Sequence, residues 1–95
     1  MNIEYSPESI NDLKRIHHFI IEKSPFAARR LAIDLQEGVE KLKSFPQIGL
    51  PVLGAPDPES IRDLYIGNYT VRYLVSDESI YILRVWHNKE NEKNG

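Results

Sequence analysis

An α+β domain of order β-α-α-β-β-β, with a helical hairpin packed on one face of an antiparallel sheet, is the fold this sequence predicts. Three observations carry it. Two Ser-Pro pairs, Ser6-Pro7 and Ser24-Pro25, each open a stretch whose apolar residues recur at helical spacing. From Ile61 onward the apolar period changes to two. Between these halves lies a segment dense in proline and glycine.

The opening Asn2-Ile3-Glu4-Tyr5 alternates polar and apolar residues and reads as a short strand at one sheet edge. Ser6 suits a helix N-cap and Pro7 the first helical position. Ile10, Leu13, Ile16 or His17, and Ile20 then form one stripe, so the first helix should span about 7–23. Ser24-Pro25 repeats the start signal. Leu31, Leu35, Val39 and Leu42 line the second helix, which should end near Ser44. Ala27, Ala28 and Gly38 are small and would let the two helices approach closely, although Gly38 gives up about 1 kcal/mol of helix propensity against Ala. The short link between the helices implies an antiparallel hairpin.

Residues 45–58 hold Pro46, Pro51, Pro56 and Pro58 with Gly49 and Gly54. They read as a loop, either a stiff connector from helices to sheet or a functional segment. Three strands follow: 61–66, 69–75 and 80–86. Gly67-Asn68 forms a hairpin turn of the Gly-X kind, and Ser76-Asp77-Glu78 turns the chain again. Tyr69, Val71, Tyr73 and Val75 share one face. Residues 88–95 are polar and should fray.

At 95 residues the chain has the length of one domain, 1–95. Hydrophobic residues at 41% and charged residues at 27% suit a globular core rather than disorder. The absence of cysteine removes disulfides, thiolate metal sites and a cysteine nucleophile, and fits a reducing cytoplasm. No apolar run reaches membrane-spanning length, and MNIEYSPES lacks the layout of a signal peptide, so a cytoplasmic protein without a membrane partner is expected. The formal net charge of -2 disfavours a protein that grips nucleic acid alone, because phosphate neutralisation dominates such binding. A protein partner fits the balance better.

Arg62, Arg72 and Arg84 all lie within the meander. Strict alternation puts Arg72 opposite the Tyr69–Val75 face. It puts Arg84 with Ile80, Ile82 and Trp86, opposite Leu83 and Val85. Both arginines would then project from the open face of the sheet. Arg62 shares parity with Leu64 and Ile66, but at the strand's start it could still reach that face. Such a cluster suits an acidic or phosphate-bearing partner. The alternative is solvated charges paired with Asp63, Glu59 or Glu78. Trp86 is a candidate aromatic anchor or an edge-packing residue. His87 is a candidate acid/base or a structural strand-terminal histidine. His17 and His18 are adjacent on a helix and do not have the i, i+4 spacing of a metal pair. No phosphate loop, dinucleotide-binding glycine pattern, H-E-x-x-H or G-x-S-x-G is present, so no cofactor or metal is expected.

Taken in order, several segments resemble the ParE/RelE superfamily of bacterial toxins. These are Ser6-Pro7-Glu8-Ser9 with Asp12-Leu13, Ser24-Pro25-Phe26-Ala27-Ala28-Arg29-Arg30-Leu31, the run from Leu42 to Pro51 with Pro46 and Gly49, Ile61-Arg62-Asp63-Leu64 with Gly67-Asn68-Tyr69 and Arg72-Tyr73, and Ile82-Leu83-Arg84-Val85-Trp86-His87. The resemblance covers nearly the whole chain. It implies the toxin of a type II toxin–antitoxin pair, neutralised by a ParD/RelB-like antitoxin and serving plasmid or chromosomal locus maintenance. ParE-like members inhibit DNA gyrase; RelE-like members cut mRNA on the ribosome. A lysine-rich stretch before the hairpin and a tyrosine after Trp86 are both missing, which places the expectation on the ParE-like branch. On that branch Arg62, Arg72, Arg84 and Trp86 are the target-binding candidates. On the nuclease branch Arg62, Arg84 and His87 would be catalytic. A non-toxic binding module of the same fold is the third reading.

Overall fold

The computed structural model describes residues 1–90. Its elements run β1 (Asn2–Tyr5), α1 (Pro7–Ile21), α2 (Pro25–Glu40), a 3-10 turn (Lys41–Lys43), β2 (Leu50–Pro51), β3 (Ile61–Ile66), β4 (Tyr69–Val75) and β5 (Ser79–His87). Both helices start at the predicted caps. Ser6 Oγ accepts from the Ser9 N–H at 3.0 Å and Ser24 Oγ from the Ala27 N–H at 3.1 Å, each satisfying an otherwise orphaned first-turn donor. The first helix ends two residues earlier than its apolar pattern suggests, and the second tightens into the 3-10 turn.

The sheet order is β1-β5-β4-β3-β2. The meander β3-β4-β5 is antiparallel, as expected. However, β1 pairs parallel to β5, so the sheet is mixed. A parallel pair requires a long crossover, and the chain between β1 and β5 supplies one. Alternation within four residues carries no information on strand direction. The predicted loop also contains a fifth strand: Leu50 and Pro51 pair with Asp63 and Arg62. Proline is tolerated there because β2 is an edge strand.

The helices cover one face of the sheet. Ile16 from α1, Leu35 and Val39 from α2 and Leu42 from the 3-10 turn bury against Val71, Tyr73, Ile80, Ile82 and Val85. Leu13, Ile20 and Leu31 pack at the margin of this cluster. Gly38 does not serve helix–helix contact as its size suggests. A Cβ there would collide with the Ile66 side chain, so the glycine lets α2 settle onto β3. At the β3–β4 turn Gly67 has φ +57° while Asn68 does not have positive φ, the pattern of a II′ turn.

Residues 88–90, the start of the expected polar tail, are described. They form a helical turn, the Asn88 N–H donates to Asn68 O at 2.9 Å, and Asn88 is hydrogen-bonded to Thr70. The rest of the expected polar tail, 91–95, lies outside the described residues.

Candidate functional site

Arg72 is where alternation places it, on the face away from the helices. Its cross-strand partner on β3 is Asp63. The two form a forked pair, Nε to Oδ1 at 2.8 Å and Nη2 to Oδ2 at 2.9 Å. The guanidinium carbon also stands 5.0 Å over the ring of Trp86, which is half-buried. The Asp63 hydrogen bond is the main cause holding the Arg72 pKa above its ordinary value; burial opposes it, and the charges of Asp63 and Tyr65 add to it. Arg72, Asp63 and Trp86 therefore make one layered unit on the open face.

Arg84 keeps its expected face, as the direct cross-strand partner of Arg72 and opposite the buried Val85, but it is not free there. Arg72 pairs with Arg84 but Tyr73 pairs with Ile82, so Leu83 is an extra residue, a β-bulge. The bulge reverses the phase of β5. Ile80 and Ile82 are fully buried in the core with Val85, although strict alternation set them on opposite faces. Beyond the end of β1, α1 completes the edge of β5: the Ser6 N–H donates to Ile82 O and the Ser6 hydroxyl to Leu83 O. Asp12 of α1 then accepts from the Val85 N–H at 2.9 Å, from Arg84 Nε at 2.8 Å and Nη2 at 3.0 Å, and from Arg15 Nη2 at 3.5 Å. Burial pushes the Asp12 carboxyl up, but the Arg84 hydrogen bond, the Val85 amide, the Arg84 charge and Arg15 together hold it below the usual carboxylate range. Arg84 thus lies on the open face, 55% exposed, with its guanidinium tied back to Asp12 of α1.

Arg62, expected to reach the open face, does not. It is 7% exposed and lies on the helix side, where its parity with Leu64 and Ile66 points. Its Nη1 donates to the Gly49 carbonyl at 2.9 Å and the Gln47 carbonyl at 3.3 Å; its Nε and Nη2 donate to the Glu59 carbonyl and carboxylate, each at 3.1 Å. Tyr73 clamps the same turn. Its hydroxyl donates to Pro46 O at 2.8 Å and accepts from the Gly49 N–H at 2.9 Å. A Cβ on Gly49 would stand 2.8 Å from Asp63 O and from Tyr73 Oη, so only glycine fits between them. The proline-rich segment is thus pinned at 46–49, while Leu50 and Leu53 face solvent.

His87 sits at the end of β5 with its ring edge-on to Tyr69, centroids 5.0 Å apart. Its Nδ1 accepts from the Lys89 N–H at 3.1 Å, which assigns the proton of the neutral ring to Nε2. The rings of His17 and His18 stand 6.4 Å apart, and among the described residues no group of three His, Cys, Asp or Glu could hold a metal ion.

Sequence reasoning did not locate an apolar groove beside the helices. Between α1, α2 and the sheet lies a groove of about 460 Å³, walled by Leu13, Ile20, Leu31 and Leu35 and floored by Val71 and Ile82. The residue pattern held one signal for it. Ala28 and Ala32, one helical turn apart on the groove side of α2, leave space that larger residues would fill.

A helical hairpin over a meander, a parallel N-terminal strand and an apolar groove between helices and sheet define a small α+β protein. Residues 3–92 match the family model for the ParE toxin of the type II toxin–antitoxin system parDE, and the chain belongs to that family. It is 30% identical over 80 residues to Toxin RelE2 of Caulobacter vibrioides, covering 83% of this chain and 85% of the relative. It is 29% identical over 79 residues to Toxin RelE1 of the same organism, covering 83% and 84%. Its fold is similar to a chain of the chromosomal ParDE system from P. aeruginosa, with TM-score 0.72 and 22% identity over 92% of this chain and 95% of that one.

Proposed function

We propose that the chain is a gyrase-inhibiting toxin that acts in the cytoplasm without enzymatic activity and maintains the plasmid or chromosomal locus that encodes it. The observation that supports this reading is the state of the sheet arginines. Arg62, Arg72 and Arg84 each already hold a carboxylate, and Arg62 is buried. A nuclease that stabilises phosphate charge needs guanidinium groups free to turn toward substrate. A binding protein does not, and the half-buried Arg72–Trp86 unit on the open face is its candidate contact. A cognate ParD/RelB-like antitoxin neutralises the toxin by laying an apolar segment into the groove between α1 and α2.

Purified toxin should inhibit supercoiling by gyrase or trap cleaved DNA, and preincubation with antitoxin should abolish the effect. No effect at saturating toxin would refute gyrase as the target. Trp86→Ala should weaken inhibition while Arg62→Ala acts mainly through stability. The RelE name of both Caulobacter relatives makes mRNA cleavage the competing reading, with Arg62, Arg84 and His87 as its machinery. Primer extension on translated message would decide for it by revealing new 5′ ends on induction.

A further inference from the structure

Arg15, Arg62, Arg72 and Arg84 are all engaged by carboxylates. The two remaining described arginines are neighbours on α2. The Arg29 side chain has no hydrogen bond or ion pair among the described residues, and Arg30 reaches Asp34 only at 3.7 Å with 69% of its side chain exposed. They share a helical face with Phe26 and Ile33, which are 73% and 45% exposed. Across the interhelical turn, Phe19 is also exposed, with Lys23 Nζ 4.7 Å over its ring. The first turn of α2 carries no acidic residue to offset the positive helix end. Exposed aromatics and uncompensated positive charge both work against the isolated chain, and such local conflicts concentrate at functional surfaces.

This face is separate from the groove. Phe26 and Ile33 lie two positions, about 200° of helical rotation, from the buried Ala28 and Leu35. We infer that the outer face of α2, centred on Phe26, Arg29, Arg30 and Ile33, docks an acidic surface bearing apolar residues on the protein this toxin attacks. The inference rests on the toxin reading but not on the identity of the target. Charge complementarity selects an acidic partner, since two adjacent guanidinium groups stand ready for forked carboxylate contacts. The apolar half selects protein over nucleic acid, as does the net charge of -2, because a phosphate backbone offers nothing to Phe26 and Ile33.

The test compares the wild type, Phe26→Ser, Arg29→Glu and the double variant under titrated expression, with toxin abundance, thermal midpoint and affinity for the cognate antitoxin measured alongside. Each variant should need roughly tenfold more toxin for half-maximal growth arrest, the usual scale for loss of an interface anchor. Antitoxin affinity and thermal midpoint should stay near wild type. Arg29→Glu leaves every packed residue in place and so excludes misfolding as the cause. Full potency in both single variants, with an active wild type, would overturn the inference alone. An equal loss of antitoxin affinity would assign the face to the antitoxin and also overturn it. Binding of an RNA or DNA oligonucleotide that depends on Arg29 would overturn the protein partner. An inert wild type would refute the toxin reading, and the inference with it.

Discussion

Replacing Asp12 by alanine should destabilise the fold by about 3 kcal/mol, chiefly through one backbone amide. The Val85 N–H is buried on the edge of β5, past the point where β1 has ended, and Asp12 accepts its hydrogen bond. Leaving such a donor unsatisfied costs about 1–3 kcal/mol. The ion pair adds less, on the order of 1 kcal/mol, because Arg84 is 55% exposed and returns to water when released. For a domain of this size the sum corresponds to a fall in melting temperature of roughly 10–20 °C. Asp12→Asn separates the two contributions. Its amide oxygen can still accept from Val85 while the charge is gone, so it should lose about 1 kcal/mol. The assay is thermal and urea unfolding followed by fluorescence of the single tryptophan, Trp86. The pH dependence has a defined sign. The Asp12 pKa is depressed in the folded state, so its stabilisation is present above the unfolded value of about 3.9 and is lost as pH falls through that value toward the folded one. Both variants should lack that acid slope. Equal destabilisation by Asn and Ala would show that the charge pair, not the amide, dominates, and the reasoning would be wrong. A shift below about 5 °C for Asp12→Ala would refute it outright.

Three further substitutions probe the loop clamp and the hairpin. Tyr73→Phe removes the hydroxyl that bridges Pro46 O and the Gly49 N–H, and should cost about 1–3 kcal/mol with faster proteolysis within 46–58. Gly49→Ala forces backbone movement against Asp63 O and the Tyr73 ring and should cost at least about 2 kcal/mol; an unchanged urea midpoint would contradict the contact geometry. Gly67→Ala, strained by its positive φ, should cost about 1–3 kcal/mol without altering antitoxin affinity measured by calorimetry.

The residues that cap helices and set apolar period made most of the fold legible. Ser6-Pro7 and Ser24-Pro25 fix the helix starts because their side-chain and φ preferences act within a single turn. Leu35, Val39 and Leu42 bury as their spacing requires, and Tyr69 to Val75 shows the expected face. The alternative reading of the arginines as paired charges was likewise legible in part: Asp63 and Glu59 are among the partners, but Asp12 is not near Arg84 in sequence and could not be found from it.

Local preference alone therefore determined the element types, their order and the meander. Tertiary structure decided the rest, because each remaining feature depends on groups distant in the chain. The parallel seating of β1 requires the whole crossover to return. The bulge at Leu83 lets Ile80, Ile82 and Val85 all face the helices, and past the end of β1 the Val85 amide is satisfied by Asp12 from α1. Arg62 is buried because the carbonyls of residues 47, 49 and 59 converge on it from the loop. Period-two parity places a side chain on a face, but which carboxylate or carbonyl waits there is a long-range fact. That is why a sequence that specifies its helices and hairpins does not, unaided, specify which of its arginines remain free.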